Sequence, residues 1–468
     1  MSTFGIFLTG MAWRGGFIGW LKTLYREAES FMLVNGWIGQ PFGVGSGVRQ
    51  GCPLSPLLYV FAVDPFVRRL DCGALCGVPV GVAGEPPLRV IAYADDVSVF
   101  VSGAVEAQVV VSEIEQYSEA SGSKINQDKS EVLWLGVEGE GFVLPDAFPV
   151  PQQSVKVLGI EFGPADYGKS NWEARLTNAE VEVKCWKGWR LSLRERVDLI
   201  KTYLIPIFLY VSTVCILPES LYTRIYSCFF QLLWGSRLNL VKRDVTYLSR
   251  RNGGLGMVNP VVFFSLVFLK QFFGNMLAER PPAWVSLFRN WFRPFLSCWE
   301  SGGLVKSLRV KHGELPTYVA PSLKILRRWR VTAEDIKSLP RKLLGERIVS
   351  VVCHAPLALR DCPGHIMREG LRLINSERIP FKFRDQAWLG FHGRLFVRGN
   401  LKYLSLDDRG CPREECRGEV ETMDHFLLQC PFNVEVYKRG GECSGCSFLA
   451  LHVLCRVGIW SIARSPGF

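Results

Sequence analysis

The chain has 468 residues, 48% of them hydrophobic and 21% charged. This composition excludes wholesale disorder, and the length exceeds one ordinary core, so two to four domains are expected. A formal net charge of +11 favours polyanionic partners, nucleic acid first and an acidic membrane second; a basic soluble protein with no such partner is the plain alternative.

Residues 13–28 place Phe17, Leu21, Leu24 and Tyr25 at helical spacing. Asn35–Gly36 marks a hairpin turn between short extended runs. Gly43, Gly45 and Gly47 lead into Val48-Arg49-Gln50-Gly51-Cys52-Pro53-Leu54-Ser55-Pro56. Helical spacing resumes over residues 57–70, with Pro65 inside as a source of a kink. Residues 89–101 form two β-rich arms around Asp95 and Asp96. Residues 104–121 read as a helix stopped by Gly122, and residues 155–162 as a short strand. From Trp172 the chain turns helical and basic, with Arg175, Lys184, Lys187, Arg190, Arg194, Arg196 and Lys201 recurring between apolar residues until Gly253–Gly256 breaks the series. Residues 261–300 are dense in Phe and Trp and read as buried helices. Residues 301–380 are basic, weakly patterned and read as helical, and a compact module begins at Phe381.

No apolar run reaches the roughly 18–20 residues that a membrane-spanning helix needs. The longest, residues 204–217, is interrupted by Pro206 and Ser212 and reads as one or two buried helices, so no membrane is expected. Residues 1–10 lack the pattern of a secretory signal, and the 15 cysteines are scattered. Both features point to an intracellular, reducing setting, in which clustered Cys and His suggest a metal.

Tyr93-Ala94-Asp95-Asp96 lies between the apolar arms Val90-Ile91-Ala92 and Val97-Ser98-Val99-Phe100-Val101. With both arms as strands, the acids occupy a tight turn emerging from an apolar sheet. Like charges beside a low-dielectric core call for a cation. Carboxylate oxygens suit Mg2+, which takes one or two of them plus substrate phosphates. An ordinary solvated turn uses the same residues, and the dipeptide alone leaves both readings open.

Cys411-x4-Cys416-x8-His425-x4-Cys430 supplies the thiolates and imidazole of a closed tetrahedral Zn2+ site, with a short helix over residues 423–429 carrying the later ligands. Free buried cysteines with a helix-capping histidine are the alternative. A rival set, Cys443-x2-Cys446 with His452 and Cys455, has a short middle spacing. Arg394, Arg398, Lys402, Arg409, Arg413 and Arg417 make this module basic. Trp388, Phe391 and Tyr403 offer rings either for stacking on bases or for a small core.

Taken in order, four segments resemble the motifs of LINE-type (non-LTR) retrotransposon reverse transcriptases. Residues 48–56 resemble motif B as these elements write it, and Tyr93-Ala94-Asp95-Asp96 resembles motif C. Ala120-Ser121-Gly122-Ser123-Lys124-Ile125-Asn126, followed by Lys129-Ser130, resembles motif D, and Val157-Leu158-Gly159-Ile160 the motif E strand pair. Asn171-Trp172-Glu173 and Leu191-Ser192-Leu193-Arg194-Glu195-Arg196 resemble the region after the palm. Residues 381–388 and His392-Gly393-Arg394-Leu395 resemble the approach to a C-terminal Cys-Cys-His-Cys module. The similarity covers most of residues 13–260 and resumes over 381–435.

The resemblance implies an α+β fold. A partial right-hand polymerase palm, an antiparallel sheet plus helices, would occupy residues 1–165, and a helical thumb with following helices residues 166–300. A basic connector over 301–380, a zinc-binding module over 381–440 and a tail over 441–468 would follow. It implies RNA-directed DNA polymerisation by two-metal nucleotidyl transfer, with Mg2+ held by the catalytic Asp95 and Asp96 and Lys129 as proton donor to the leaving pyrophosphate. Arg49, Gln50, Gly51 and Tyr93 would lie against template and substrate, Gly51 because a side chain there would crowd the nascent pair. The implied partners are an RNA template, the RNA–DNA duplex, target DNA and deoxynucleotides. Structural Zn2+ would sit on Cys411, Cys416, His425 and Cys430.

One departure matters. In this family a motif A precedes motif B and carries a further aspartate that bridges both metals. Residues 1–48 contain no aspartate; Glu27 and Glu29 are their only acids and are expected at the end of a helix, not on a strand. The chain is therefore read as an N-terminally truncated copy, its polymerase inactive alone. The alternative is a catalytically dead nucleic-acid-binding protein derived from such an element.

Overall fold

The computed structural model describes residues 15–26, 29–44, 51–79, 84, 86–134, 145, 148–149, 151–163, 167–236, 239–282, 284–300, 319–352, 370–372, 374–375, 381–401, 404–405, 407–416 and 418–435. They belong to two units, Met1–Tyr167 and Gly168–Phe468.

In the first unit, helix α1 (Gly15–Tyr25) buries Ile18 and Leu21 against Leu58 of α2 (Ser55–Arg69). Between them, β1 (Glu29–Ser30) pairs with β4 (Phe42–Gly43) around the hairpin of β2 (Leu33–Val34) and β3 (Trp37–Ile38). Asn35 and Gly36 turn that hairpin with φ of 50° and 84°, the two left-handed positions that a two-residue turn of this hand requires. Leu33, Val34, Trp37 and Ile38 are all exposed, Trp37 by 82%. Glu29 thus lies on a strand, contrary to the reading that put it at a helix end, because α1 already stops at Tyr25.

Helix α2 passes through Pro65 without ending and runs on as a π turn, Leu70–Ala74. β5 (Val90–Tyr93) and β6 (Asp96–Val99) form an antiparallel hairpin. Val90, Val97 and Val99 pack on Val63, Phe66, Leu70, Leu75 and Val110, the last from helix α3 (Ala104–Ser121). Ile91 and Tyr93 are exposed. Helix α3 stops at Gly122, whose φ is 71°. Residues 155–162 are not one strand but a hairpin, β7 (Val155–Val157) and β8 (Ile160–Phe162), turned at Leu158 and Gly159. Among the described residues the strands form four separate two-stranded antiparallel ladders.

Glu106, in the first turn of α3, fastens the segments that flank the β5–β6 hairpin. It is buried, yet its carboxylate accepts from Cys76 N (2.7 Å), Gly77 N (3.3 Å), Ser102 N (2.7 Å) and Ser102 Oγ (3.0 Å). Burial alone would raise the Glu106 carboxyl, but the Ser102 and Cys76 N–H groups with the Ser102 hydroxyl hold it below the usual carboxylate range.

The second unit is helical: α4 (Gly168–Lys187), α5 (Leu193–Val214), α6 (Tyr222–Trp234), α7 (Arg243–Tyr247), α8 (Pro260–Met276), α9 (Val285–Glu300), α10 (Ala320–Trp329), α11 (Ala333–Ser338), α12 (Arg341–Val352) and α13 (Phe381–Phe391). The sequence reading took residues 204–217, interrupted at Pro206 and Ser212, as one or two buried helices too short to cross a membrane. Instead, α5 is one helical stretch of 22 residues, long and apolar enough to cross a membrane by length and composition. A π turn, Ile200–Leu204, precedes Pro206 and absorbs its missing N–H. Val197, Ile200, Leu204, Phe208 and Val211 are fully buried, and α5 packs on α4 and α8 as a core helix does.

Two aromatic clusters meet on α8. Trp172 of α4 stacks on Phe208 (5.8 Å between centroids) and meets Phe264 edge-on (5.5 Å), while its Nε1 donates to Cys215 O at 3.1 Å. Farther along, Phe272 and Phe273 pack with Phe292, Phe295 and Trp299. The weakly patterned stretch 301–380 contributes α10, α11 and α12, which close over this cluster through Leu323, Leu326, Ile336, Leu344 and Ile348. Helix α13 is fixed by polar contacts: Asp385 Oδ2 accepts from Leu193 N at 2.7 Å, at the start of α5, and Trp388 Nε1 donates to Gly253 O at 3.0 Å.

Replacing Trp172 by Ala removes a fully buried ring and its hydrogen bond, so urea unfolding of the second unit is expected to lose about 3–5 kcal/mol. Glu106→Gln is expected to cost the first unit about 1–3 kcal/mol at neutral pH, from the weakened hydrogen bonds to a charged acceptor. The depressed carboxyl adds stability above its ordinary pKa of about 4.3, and that contribution is lost as pH falls through the lower folded value. Unfolding midpoints of the parent should therefore drop between neutral and acid pH, and the Gln variant should lack part of that slope.

Candidate functional site

The paired acids sit at the tip of the β5–β6 hairpin. Tyr93 pairs with Asp96 across the ladder, leaving Ala94 and Asp95 as a two-residue turn. Ala94 has φ 51°, a left-handed conformation that costs a residue with a Cβ about 1 kcal/mol or more; the four flanking residue pairs hold it there. Tyr93, Asp95 and Asp96 are exposed. Neither carboxylate is therefore buried against the core, and the desolvation that the sequence reading invoked to demand a cation does not operate here. What the turn offers is two adjacent hard-oxygen ligands facing outward. Tyr59 of α2 is near enough to feel one of them: burial first, then Tyr117 and Asp95, raise its phenol.

The other expected site residues divide. Gly51 has φ 83° at the turn before α2, while Arg49 and Gln50 lie outside the described residues. Lys129 closes an exposed 3-10 turn, Gln127–Lys129; among the described residues no hydrogen bond or ion pair joins it to Asp95 or Asp96.

The second centre is compact. The ligand atoms of Cys411, Cys416, His425 and Cys430 all lie within 4.8 Å of one another, and among the described residues no other group of three or more such ligands is this close. The loop positions them: Cys411 N donates to Glu419 O (2.8 Å), Glu419 N to Cys416 O (3.1 Å), and Gly418 turns with φ 82°. His425–Gln429 is a π turn in which Cys430 N donates to His425 O at 2.7 Å. An i→i+5 turn brings residues five apart to one side, so the last two ligands face the first two.

These residues fit a metal ion. Cys416 Sγ and Cys430 Sγ are 3.7 Å apart, close to the edge of about 3.8 Å that a tetrahedron with Zn–S bonds of about 2.3 Å requires. His425 is buried, with Glu419 Oε2 2.7 Å from its Nδ1 and no hydrogen-bond partner at Nε2. Burial, then the neighbouring thiols of Cys430 and Cys411, push the Cys416 thiol up to about 12. Three thiols and one imidazole gathered this closely, three of the four residues buried, are a donor set that a cation would convert to ligands. The rival set of Cys443, Cys446, His452 and Cys455 lies outside the described residues.

Several residues expected to face nucleic acid have other tasks. Trp388 is buried, its indole bonded to Gly253 and stacked 6.4 Å from Trp234, so it offers no face to a base. Arg196 turns inward, donating to Leu191 O (3.0 Å) and Leu232 O (2.8 Å). Arg413 lies over the Phe432 ring at 3.9 Å, and Arg409 donates to Leu404 O at 3.1 Å. Lys402, Tyr403 and Arg417 lie outside the described residues. Arg394 and Arg398 are exposed, and Arg394 lines a cavity of about 470 Å³ with residues 239–244. Sequence reasoning missed Glu106, Asp385 and His392. Glu106 left a signal as an acid in the first helical turn after Ser102-Gly103, and Asp385 and His392 stood only as members of segments that resemble the approach to the C-terminal module.

The family described as reverse transcriptase (RNA-dependent DNA polymerase) matches residues 11–162, which include the acid hairpin. The chain is 30% identical over 349 residues, 69% of its length, to the "Transposon TX1 uncharacterized 149 kDa protein" of Xenopus laevis. It is 22% identical over 457 residues, 90% of its length, to a "Retrovirus-related Pol polyprotein from type-1 retrotransposable element R2" of Popillia japonica. It spans 26% of the first relative and 54% of the second. A third similarity, 28% over 127 residues (27% of the chain and 11% of the relative), is to the Pol polyprotein of element R2DM from Drosophila melanogaster. Residues 11–162 thus match reverse transcriptase sequence, and the chain is similar over most of its length to proteins of non-LTR retrotransposable elements.

Proposed function

We propose that this chain is part of an intracellular RNA-directed DNA polymerase of a LINE-type element, with a partial palm over residues 1–165, a thumb over 166–300, a connector over 301–380 and a zinc-binding module over 381–440. The observation that carries this reading is the Tyr93–Asp96 turn, two exposed carboxylates at the tip of a hairpin inside the matched region. Asp95 and Asp96 would hold Mg2+, which when bound activates the primer 3′-oxygen and neutralises the leaving pyrophosphate. Gly51 keeps the approach to the nascent pair free of a side chain, and Lys129 would protonate the pyrophosphate. RNA template, RNA–DNA duplex, target DNA and deoxynucleotides are the partners this chemistry needs. Cys411, Cys416, His425 and Cys430 would hold Zn2+, whose contribution is to close a small module around four ligands.

A second reading is favoured by one observation. Residues 1–48 hold no aspartate, so this polypeptide supplies two acids where the family chemistry uses a third to bridge the metals. Losing a shared ligand weakens metal binding and misaligns the reacting oxygens. The chain alone is then a nucleic-acid-binding protein with little or no polymerase activity.

Two measurements check these readings. Purified chain, given Mg2+, deoxynucleotides and a primer on an RNA template, is expected to extend no primer while binding the duplex in a salt-sensitive way. Extension that disappears in Asp95→Ala/Asp96→Ala would instead establish an assembled active site and end the inactive reading. Metal analysis is expected to find one zinc per chain, lost in Cys416→Ser/His425→Ala; an equal zinc content in that variant would remove the assignment.

A further inference from the structure

An imidazole binds a metal ion through one ring nitrogen, and the hydrogen bond made by the other decides which one is free to do so. At His425 the two nitrogens have different surroundings. Glu419 Oε2 lies 2.7 Å from Nδ1, while Nε2 has no hydrogen-bond partner. An ionised carboxylate can only accept. In the neutral ring that a metal requires, Nδ1 is therefore the nitrogen that carries the hydrogen, and Nε2 keeps its lone pair for a ligand bond.

Glu419 is tied to the other ligands as well. Its main-chain oxygen accepts from Cys411 N at 2.8 Å, and its main-chain N–H donates to Cys416 O at 3.1 Å. An antiparallel bridge between Gly410 and Val420 holds the two sides of the loop together. One residue thus touches three of the four ligand residues, two through its backbone and one through its side chain. The neighbouring acids are placed differently. Glu421 Oε2 accepts from Arg398 N at 2.8 Å, and Glu414 and Glu415 are exposed on the 3-10 turn before Cys416. The Glu419 side chain is itself 65% exposed, so water screens its charge. What remains to it is direction: it can fix the ring plane and the tautomer of a buried imidazole.

We propose that Glu419 is a positioning residue of the Cys-Cys-His-Cys centre: its carboxylate holds His425 as the tautomer with hydrogen on Nδ1 and leaves Nε2 as the nitrogen that ligates the metal. The inference rests on the zinc reading of this centre. It adds a fifth residue, one that the spacing Cys411-x4-Cys416-x8-His425-x4-Cys430 does not mark. The backbone bonds to Cys411 and Cys416 are open to any residue with a main-chain N–H, so a side-chain substitution at 419 separates this role from the folding of the loop.

The test uses the full chain and zinc alone, with affinity read by competition against a chelator. Glu419→Ala is expected to weaken zinc binding by about 10–100-fold, the range for losing the partner of a ligating histidine. Glu419→Gln keeps an acceptor oxygen and should recover part of that loss. The control Glu414→Ala removes the same charge from the same loop and should leave the affinity unchanged. With histidine labelled in its ring nitrogens, NMR of the zinc-bound chain should show hydrogen on Nδ1 of His425 and the metal on Nε2. In Glu419→Ala that hydrogen should exchange faster with water. An unchanged affinity in Glu419→Ala, an equal loss in Glu414→Ala, or zinc on Nδ1 would overturn the assignment and leave the zinc centre standing. A parent chain that binds no zinc would overturn the zinc reading and the inference with it.

Discussion

Helix α8 must be buried on every side. Twelve of its 17 residues are buried, and they are distributed around the whole circumference, from Val261 and Val262 to Phe272, Phe273 and Met276. A helix that is apolar all round is stable only inside a shell of other elements. The second unit is that shell: α5 and α6 lie against α8 on one part of its surface, and α9, α10, α11 and α12 on the rest. The one cation on α8, Lys270, is reconciled with this position by donating to the carbonyls of Asp335, Ile336 and Leu339, at the C-terminal end of α11. The Asp335 carbonyl also accepts from Leu339 N, while those of Ile336 and Leu339 lie at the end where a helix leaves acceptors free, so one lysine serves the end of α11 and its own burial together.

The first unit has no such helix. Its core is a small valine and phenylalanine cluster under one face of the β5–β6 hairpin, and the precision of the acid turn comes from polar fastening. Glu106 ties residues 76, 77 and 102 to the start of α3, while the ladder forces Ala94 into a conformation it would not choose. The Cys-His centre is different again. There the order comes from short backbone turns, and among the described residues the apolar cluster beside it consists of Val397, Met423 and their neighbours Leu395 and Phe426.

What was legible in the sequence was local. Asn35–Gly36 and Gly122 carry their backbone preference in their identity, and both turned the chain where expected. The density of Phe over residues 261–300 marked burial, and α8 and α9 bear it out. The turn at Leu158–Gly159 escaped the pattern reading, because leucine is a poor signal for a left-handed position, and showed only in the resemblance of residues 157–160 to a strand pair. Helices α10 to α12 lie in a stretch read only as basic and helical, and their separate bounds were not legible because the three are short and follow one another closely. The inward turn of Trp388 could not be read at all, since its indole bonds to a carbonyl 135 residues away.

That carbonyl serves two donors. Besides the Trp388 indole, His392 Nε2 lies 2.7 Å from Gly253 O, and a carbonyl can only accept, so this nitrogen carries the hydrogen. Burial, opposed by this same bond, pushes the His392 imidazole down, which keeps it neutral and in one tautomer. The anchor point for α13 is thus a main-chain atom. No codon change at position 253 can delete that oxygen, although any residue with a Cβ would strain the φ of 85° that aims it, so this part of the docking of α13 is written in the backbone of the loop it meets.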